Sequence, residues 1–599
     1  MQPKNRLHNL NLIYLGSIKI RIKREVFVFM SFWGTILLSA CVEHRDISDN
    51  SVIVHILAEP KGLHPVNNND GYQRMIQQCT QKKLMTVDLA TGKLIPDALE
   101  SPPILQSDSL TYTCILRKGM RWDNGKEVTA ADAVFSFKAL VCPGIEASDM
   151  KSIFANVESV EIDLYDPHSF SVRMKKRYFD NSNLLSYVVL IQRAFWDSKN
   201  QLAAYSFKQL AENTNAELIR KEISDFLSAF NHPDKSRLPA QQDGLGPYKL
   251  ESWQTGSELV LQRKNTWWGD TSNLPQNQNN SERIVFKVIR EMEPLILALK
   301  REEIDFSPEL SAPALLRLQG KTAFNEAYFS GITNSFSYTY MGMNMKPEPG
   351  RIPYFTNRQV RRAMALLMPV EEIIAVITKG KAYPIAGFIL PGQQDFDNTS
   401  KPLQQDVEQA KSLLNEAGWI DTDGDNIRDK IIEGQRVAFS FGLSYMISPV
   451  TGELVELIKN TFYAAGIEVR PDGQEFSSFY EQAYAHRFDA MLGAWSSSSQ
   501  PEDPRQIWHS ESWSNGGSNF VGFGSAYSDS LIDEANSELN IAKRKKMMHT
   551  IQQVIQDEQP YVFLFNATRK YALHKRFGSS EVFSERPHIW LGSLKSNKQ

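Results

Sequence analysis

Apolar and polar positions alternate through TYTCIL, with Tyr112, Cys114 and Leu116 on one side, the period of a strand with one buried face. Asp123-Asn124-Gly125 follows as a turn, because Asn and Gly tolerate positive φ. The period then lengthens to that of a helix, with Val134, Phe135, Phe137 and Leu140 supplying apolar bulk. Thr129 stands at its start, where its hydroxyl can cap the amide of Asp132, and Asp132 favours the positive helix end. Further helical patterns cover 357–377, 406–418 and 451–466, each ending near Gly or interrupted at Pro. The polar stretches 270–282 and 391–405 predict surface loops. Strand and helix periods are mixed throughout, which predicts an α/β fold.

The front of the chain has a different pattern. Residues 26–40, VFVFMSFWGTILLSA, carry no charge and follow Lys19, Arg21, Lys23 and Arg24. A positive flank, a short apolar core and small residues before a boundary are the layout of a secretory signal. The run is too short for a membrane span, which needs about 20 apolar residues. LLSAC, ending at Cys41, resembles the lipobox of bacterial lipoproteins, which implies a lipoprotein-type signal peptide at 1–40 and lipidation of Cys41. A hydrophilic tether, 41–51, then leads to a body in the periplasm or cell envelope, held to a membrane by lipid alone.

Beyond the signal, 559 residues are enough for two or three domains. Residues 1–40 take six of the 66 basic and one of the 69 acidic residues, leaving 60 against 68, a net charge near −8. No basic block remains to track phosphates, so nucleic acid is not an expected partner. Cys79, Cys114 and Cys142 are three thiols that cannot all pair and have no zinc-site spacing. They are expected to pack, with one Cys79–Cys142 or Cys114–Cys142 bridge left open. DTDGDNIRD (421–429) crowds carboxylates, but its Gly falls at the fourth position and the closing Glu of an EF-hand is missing, so it predicts a solvated turn. No metal or cofactor is expected. G-x-S-x-G, H-E-x-x-H and G-x-x-x-x-G-K-[ST] are absent, and no enzyme is expected. The rival from outside the binding class is a secreted hydrolase built on paired carboxylates.

Five stretches in order resemble the family 5 extracellular solute-binding proteins, the oligopeptide and dipeptide receptors of ABC importers. They are LRKGMRWDNGKEVTAADAVFSFK (116–138), GLGPYKLESWQTGSELVLQRKNTWW (244–268), ERIVFKVIREMEPLILALKREEID (282–305), YMGMNMKPEPGRIPYFTNRQVRRAMALLMP (340–369) and RFDAMLGAWSSSSQPEDP (487–504). The resemblance implies a two-lobed periplasmic-binding-protein fold of the large subclass, with an extra α/β domain on lobe I. Lobe I would take 52–85, 244–340 and 560–599, the extra domain 86–243, and lobe II 341–559. Hinges would fall near Tyr338–Asn344 and Pro560–Asn566. The implied protein is a monomer that captures peptides or related small solutes between its lobes and hands them to the transmembrane subunits of an ABC permease. Nickel chelates, haem, opines and oligosaccharides are the alternative ligands of the same fold.

A peptide between lobes is recognised mainly through its backbone, as an added strand. In the family, an Asp three residues after a lobe II Gly-Trp meets the free amine. Trp495 matches that Trp, but the third residue on is Ser498, and Asp503 arrives late. Either Glu502 or Asp503 swings in from a longer loop, or the ligand lacks an amine there. The resemblance also places Asn519, Asp70 and Tyr72 near ligand and Tyr561 on the second hinge, with core packing as the other reading for Trp495 and Tyr561.

Overall fold

Two long strands, Tyr328–Met343 and Tyr561–His574, run antiparallel through the middle of one mixed sheet. They set the architecture of the computed structural model, which describes residues 50–67, 70–146, 148–212, 214–578 and 581–597. The signal at 1–40, Cys41 and the tether to residue 49 lie outside the described residues. Beside the long strands, in order, stand Phe306–Ser307, Ser51–Ile56, Arg283–Val288, Glu258–Arg263 and Tyr248–Gln254. Across them lie Ala490–Ser496, Ser440–Met446 and Glu468–Gln474. Each flank, with its helices, is a lobe, and the long strands belong to both.

Alternation along these strands divides the cores. Tyr561 and Phe563 enter one lobe II core with Tyr338, Tyr340 and Trp508, while Val562 and Leu564 enter the other with Met341 and Met343. In lobe I, Leu573 and the adjacent Ala572 separate in the same way. Pairing of the two strands shifts register between Asn334 and Tyr338. A second shift, between Thr339 and Tyr340, falls inside the Tyr338–Asn344 segment.

The third module is a four-stranded antiparallel sheet, ordered Ile104–Leu105, Thr111–Ile115, Ser169–Met174 and Val157–Ile162. Its strand Thr111–Ile115 and helix Ala130–Val141 answer the first two patterns in the sequence. Thr129 and Asp132 form a capping box, with the Thr129 amide donating to Asp132 Oδ2 at 3.1 Å. Gly125 takes φ +80° in the turn. The pattern over 357–377 is two helices, Arg358–Leu367 and Val370–Ile377, divided at Pro369.

Two expectations need correction. The stretches 270–282 and 391–405 are not simple surface loops. Gln276 and Asn277 are buried around Lys82, whose Nζ donates to Gln276 O (3.1 Å), Asn277 Oδ1 (2.5 Å) and Asp97 Oδ1 (3.0 Å). Asp395 is buried against Arg544. A buried charge needs polar partners, and these loops supply them. Cys79, Cys114 and Cys142 are free and buried, and burial pushes each thiol up to about 12. The Asp421, Asp423 and Asp429 carboxylates do approach one another, but Asp421 accepts from Gly424 and Asn426, Asp423 pairs with Arg436, and Asp429 holds Thr422.

Candidate functional site

The strand Ala490–Ser496 ends in the loop 497–504, which reaches from lobe II to the facing half of the molecule. Ser499 N donates to Glu585 Oε2 (2.9 Å), and Gln500 Nε2 donates to Gly92 O (2.7 Å). Gly92 sits at φ +65°, and a Cβ there would come within 2.7 Å of Ser499 Cβ, so only glycine allows this approach. Nearby, Phe179 N donates to Asn536 O (2.9 Å), and the Arg544 guanidinium lies 3.5 Å from the Phe179 ring centroid. The two halves therefore touch through this loop and around Phe179.

The lobe II side of this contact is aromatic and acidic. Trp495, half-buried, stacks near-parallel between Tyr340 (6.3 Å) and Phe520 (6.0 Å), and its Nε1 reaches Tyr561 Oη at 3.5 Å. Ser498 accepts Gln500 N at its hydroxyl (3.2 Å) and Gln393 Nε2 at its carbonyl (3.1 Å). Asp503 accepts Arg505 N (2.8 Å) and Asn536 Nδ2 (2.8 Å) on one oxygen and the Tyr178 hydroxyl (3.0 Å) on the other. Glu502 accepts from Gln393 Nε2 (2.7 Å), and burial raises its carboxyl against the pull of hydrogen bonds from Ser497 and Gln393. Asp180 is pushed up to about 7, chiefly by burial.

On the lobe I side stands helix Gly71–Thr80. Asp70 is its N-cap, accepting Gln73 N at 2.7 Å. The Tyr72 hydroxyl donates to Glu309 Oε2 at 2.6 Å and accepts Leu57 N at 3.2 Å.

The structure brings Trp495 and Tyr561 together, sets Ser498 and Asp503 on one loop, and places Asp70 and Tyr72 on the other lobe. It gives two of these residues internal work. Asn519 is fully buried and turned to its own loop, its amide donating to His509 O and Phe523 O while its oxygen accepts Gly522 N and Phe523 N. Tyr561 is fully buried, stacked 3.9 Å from Tyr340 and tilted against Trp508 at 4.7 Å, because its position in the strand alternation faces the lobe II core. Tyr178, Asp180, Arg544 and Glu585 were missed from sequence. Tyr178, Arg544 and Glu585 meet their partners across long separations, and Asp180, bonded locally to Asn183, is brought near Arg544 and Asp503 only by the fold.

Residues 93–518 match the family of bacterial extracellular solute-binding proteins, family 5 Middle. The chain is 27% identical over 470 residues to the oligopeptide-binding protein AppA of Bacillus subtilis, covering 78% of this chain and 77% of that protein. The solved structure of AppA from Bacillus subtilis with a nonapeptide aligns at TM-score 0.64 and 23% identity, over 92% of this chain and 99% of that one. NikA from Brucella suis, in complex with Fe(III)-EDTA, aligns at TM-score 0.71 and 18% identity, over 91% and 100%. The structural likenesses are of fold, and the sequence match spans most of both lobes. The chain belongs to the bacterial extracellular solute-binding proteins of family 5.

Proposed function

We propose that this chain is the capture subunit of an ABC importer, a lipid-anchored, monomeric receptor of the periplasm or cell envelope that encloses peptides between its lobes and delivers them to the permease transmembrane subunits. The observation that carries this reading is the pair of long strands shared by two lobes, with its ladder interrupted where the lobes part. Such a joint lets ligand shift an open–closed equilibrium by binding the closed form better. The relatives named for oligopeptides favour peptide as cargo. The work is capture and release, so the polar residues of the cleft act as recognition groups.

A second reading keeps the fold and changes the ligand to a solute without a free amine. Asp503 favours it, since three protein donors already engage that carboxylate. Small-angle scattering tests the main reading. A pool of tri- to nonapeptides should shrink the radius of gyration of the wild type. Gly92→Ala, which puts a methyl group against Ser499, should resist the contraction. An unchanged wild-type radius at saturating peptide would sink the proposal.

A further inference from the structure

Four cations gather on the lobe I side of the contact between the lobes. Arg569 lies on the long strand Tyr561–His574, directly opposite Thr333. Arg586 rests on the first turn of helix Gly71–Thr80, so close that a Cβ at Gly71 would come within 2.2 Å of its Nη1. Arg74 stands one turn further along that helix, and Lys83 follows just beyond its end. One carboxylate, Glu309, is shared by Arg569 (3.9 Å) and Arg586 (3.7 Å), and it already accepts the Tyr72 hydroxyl. Asp70 and Glu585 also lie nearby and attract Arg74, Glu585 attracts Arg569 as well, and Asp97 attracts Lys83.

These side chains are desolvated, yet they keep accessible surface. Arg586 and Arg569 are 44% and 22% exposed at the side chain. Arg74 is exposed, but burial, reinforced by Arg586, lowers its guanidinium. Lys83 is pushed down to about 8 by burial, with Arg74 adding. Arg569 falls to about 10 by burial, with Arg586 adding. Two buried polar atoms on the strand pair, Arg569 Nε and Thr333 Oγ1, have no hydrogen-bond partner. Unpaired buried donors are costly, so their persistence here points to a group supplied from outside the chain.

We propose that the wall formed by Arg74, Lys83, Arg569 and Arg586 receives a carboxylate of the bound ligand. Guanidinium forks pair bidentately with carboxylates, and the helix N-terminus beneath Arg586 adds a field of the same sign. The inference rests on the interlobe cleft being the capture site. The carboxylate can come from the C-terminus of a peptide or from an acidic side chain, and the test separates the two.

Native mass spectrometry of the whole mature protein with an equimolar mixture of three tetrapeptides provides it. The probes are tetra-alanine as free acid, tetra-alanine amide, and Ala-Glu-Ala-Ala amide. At least one carboxylate-bearing peptide should be retained about tenfold or more over tetra-alanine amide, the size expected of a charge-assisted pair. The arm that wins names the source. Arg569→Gln and Arg586→Gln should each cut that preference to about threefold or less without weakening the amide, and Arg586→Lys should restore part of it. Equal retention of all three peptides, or an unchanged preference in both Gln variants, overturns the inference and leaves peptide capture standing. If no peptide is retained, both fall.

Discussion

The Tyr178 hydroxyl donates to the Asp503 carboxylate at 3.0 Å, joining residues 325 positions apart across the face where the lobes meet. Asp503 stands late in its loop for an amine anchor, and the structure gives that carboxylate a partner from the opposing half. On the proposed function, Asp503 would be a closing contact and not an amine anchor. Tyr178→Phe should weaken peptide binding about tenfold, as loss of one hydrogen bond to a charged group implies. N-acetylated and free peptides should weaken by the same factor. Calorimetry with both forms checks it, and a loss confined to free-amine peptides would restore Asp503 as the anchor.

Asp180 lies beside that contact. Its carboxyl is pushed up to about 7 by burial, opposed in part by the Asn183 hydrogen bond and the Arg544 guanidinium and increased by the Asp503 charge. An open cleft returns Asp180 towards the ordinary carboxylate range, so the closed form binds more protons between about pH 4 and 7. Closure is thus favoured at low pH and weakens as pH rises through about 7. Ligand affinity measured from about pH 5 to 8 should fall across that window and then level. Asp180→Asn should flatten the profile, and a wild-type profile that is already flat would refute the assignment.

What was legible in the sequence was local. The capping box of Thr129 and Asp132 needs residues three apart, and the strand at Tyr112 needs only alternation. Both are decided by neighbours in the chain. The fold became legible through the order of several such units. The site did not, because a side chain's work depends on what the fold brings to it. Asn519 stands in a glycine-rich loop as a ligand contact would, yet its four hydrogen bonds close that loop. Tyr561 occupies a crossover, yet alternation turns it inward. The polar run 270–282 has the composition of a surface loop, and only the distant Lys82 explains why part of it is buried.

The Arg544–Asp395 ion pair supports the loop 497–504 from beneath. Both side chains are 4% exposed, and Arg544 also donates to Glu502 O at 2.5 Å. Breaking a buried pair leaves an uncompensated charge, which costs about 3–5 kcal/mol. Arg544→Leu should lower lobe II stability by about that amount in urea unfolding. Adding Asp395→Asn should recover a substantial part, because the stranded charge is then removed. A double variant no more stable than the single one would place the loss in packing against Phe179 instead.

Cys41 carries the anchoring expectation. Its thiol follows Leu-Ser-Ala at the end of an uncharged run, and acylation there would tether the body without a spanning helix. Cys41→Ser should abolish metabolic palmitate labelling and release the protein from the membrane fraction. Labelling that persists in the variant would overturn the lipobox reading.

The hinge is open to test through Asn566. Its amide donates both hydrogens to the interrupted strand, to Ser335 O at 2.6 Å and Ser337 O at 2.8 Å, where the ladder loses register. Ser335 Oγ returns a bond to Ala567 O at 2.6 Å. Side chains thus bridge the break in the ladder, where the proposed function places the hinge. Asn566→Ala leaves two enclosed carbonyls unpaired, at about 1–3 kcal/mol for each such group. Part of that cost falls away in any conformation that admits water to the joint, so the variant should favour the open form. Hydrogen exchange should quicken over 334–340 and 564–568 while the flanking strand segments keep their protection. Peptide affinity should drop severalfold as the closed population shrinks. Exchange that quickens evenly along both long strands would instead mean that Asn566 stabilises the whole sheet and that the turning point lies elsewhere.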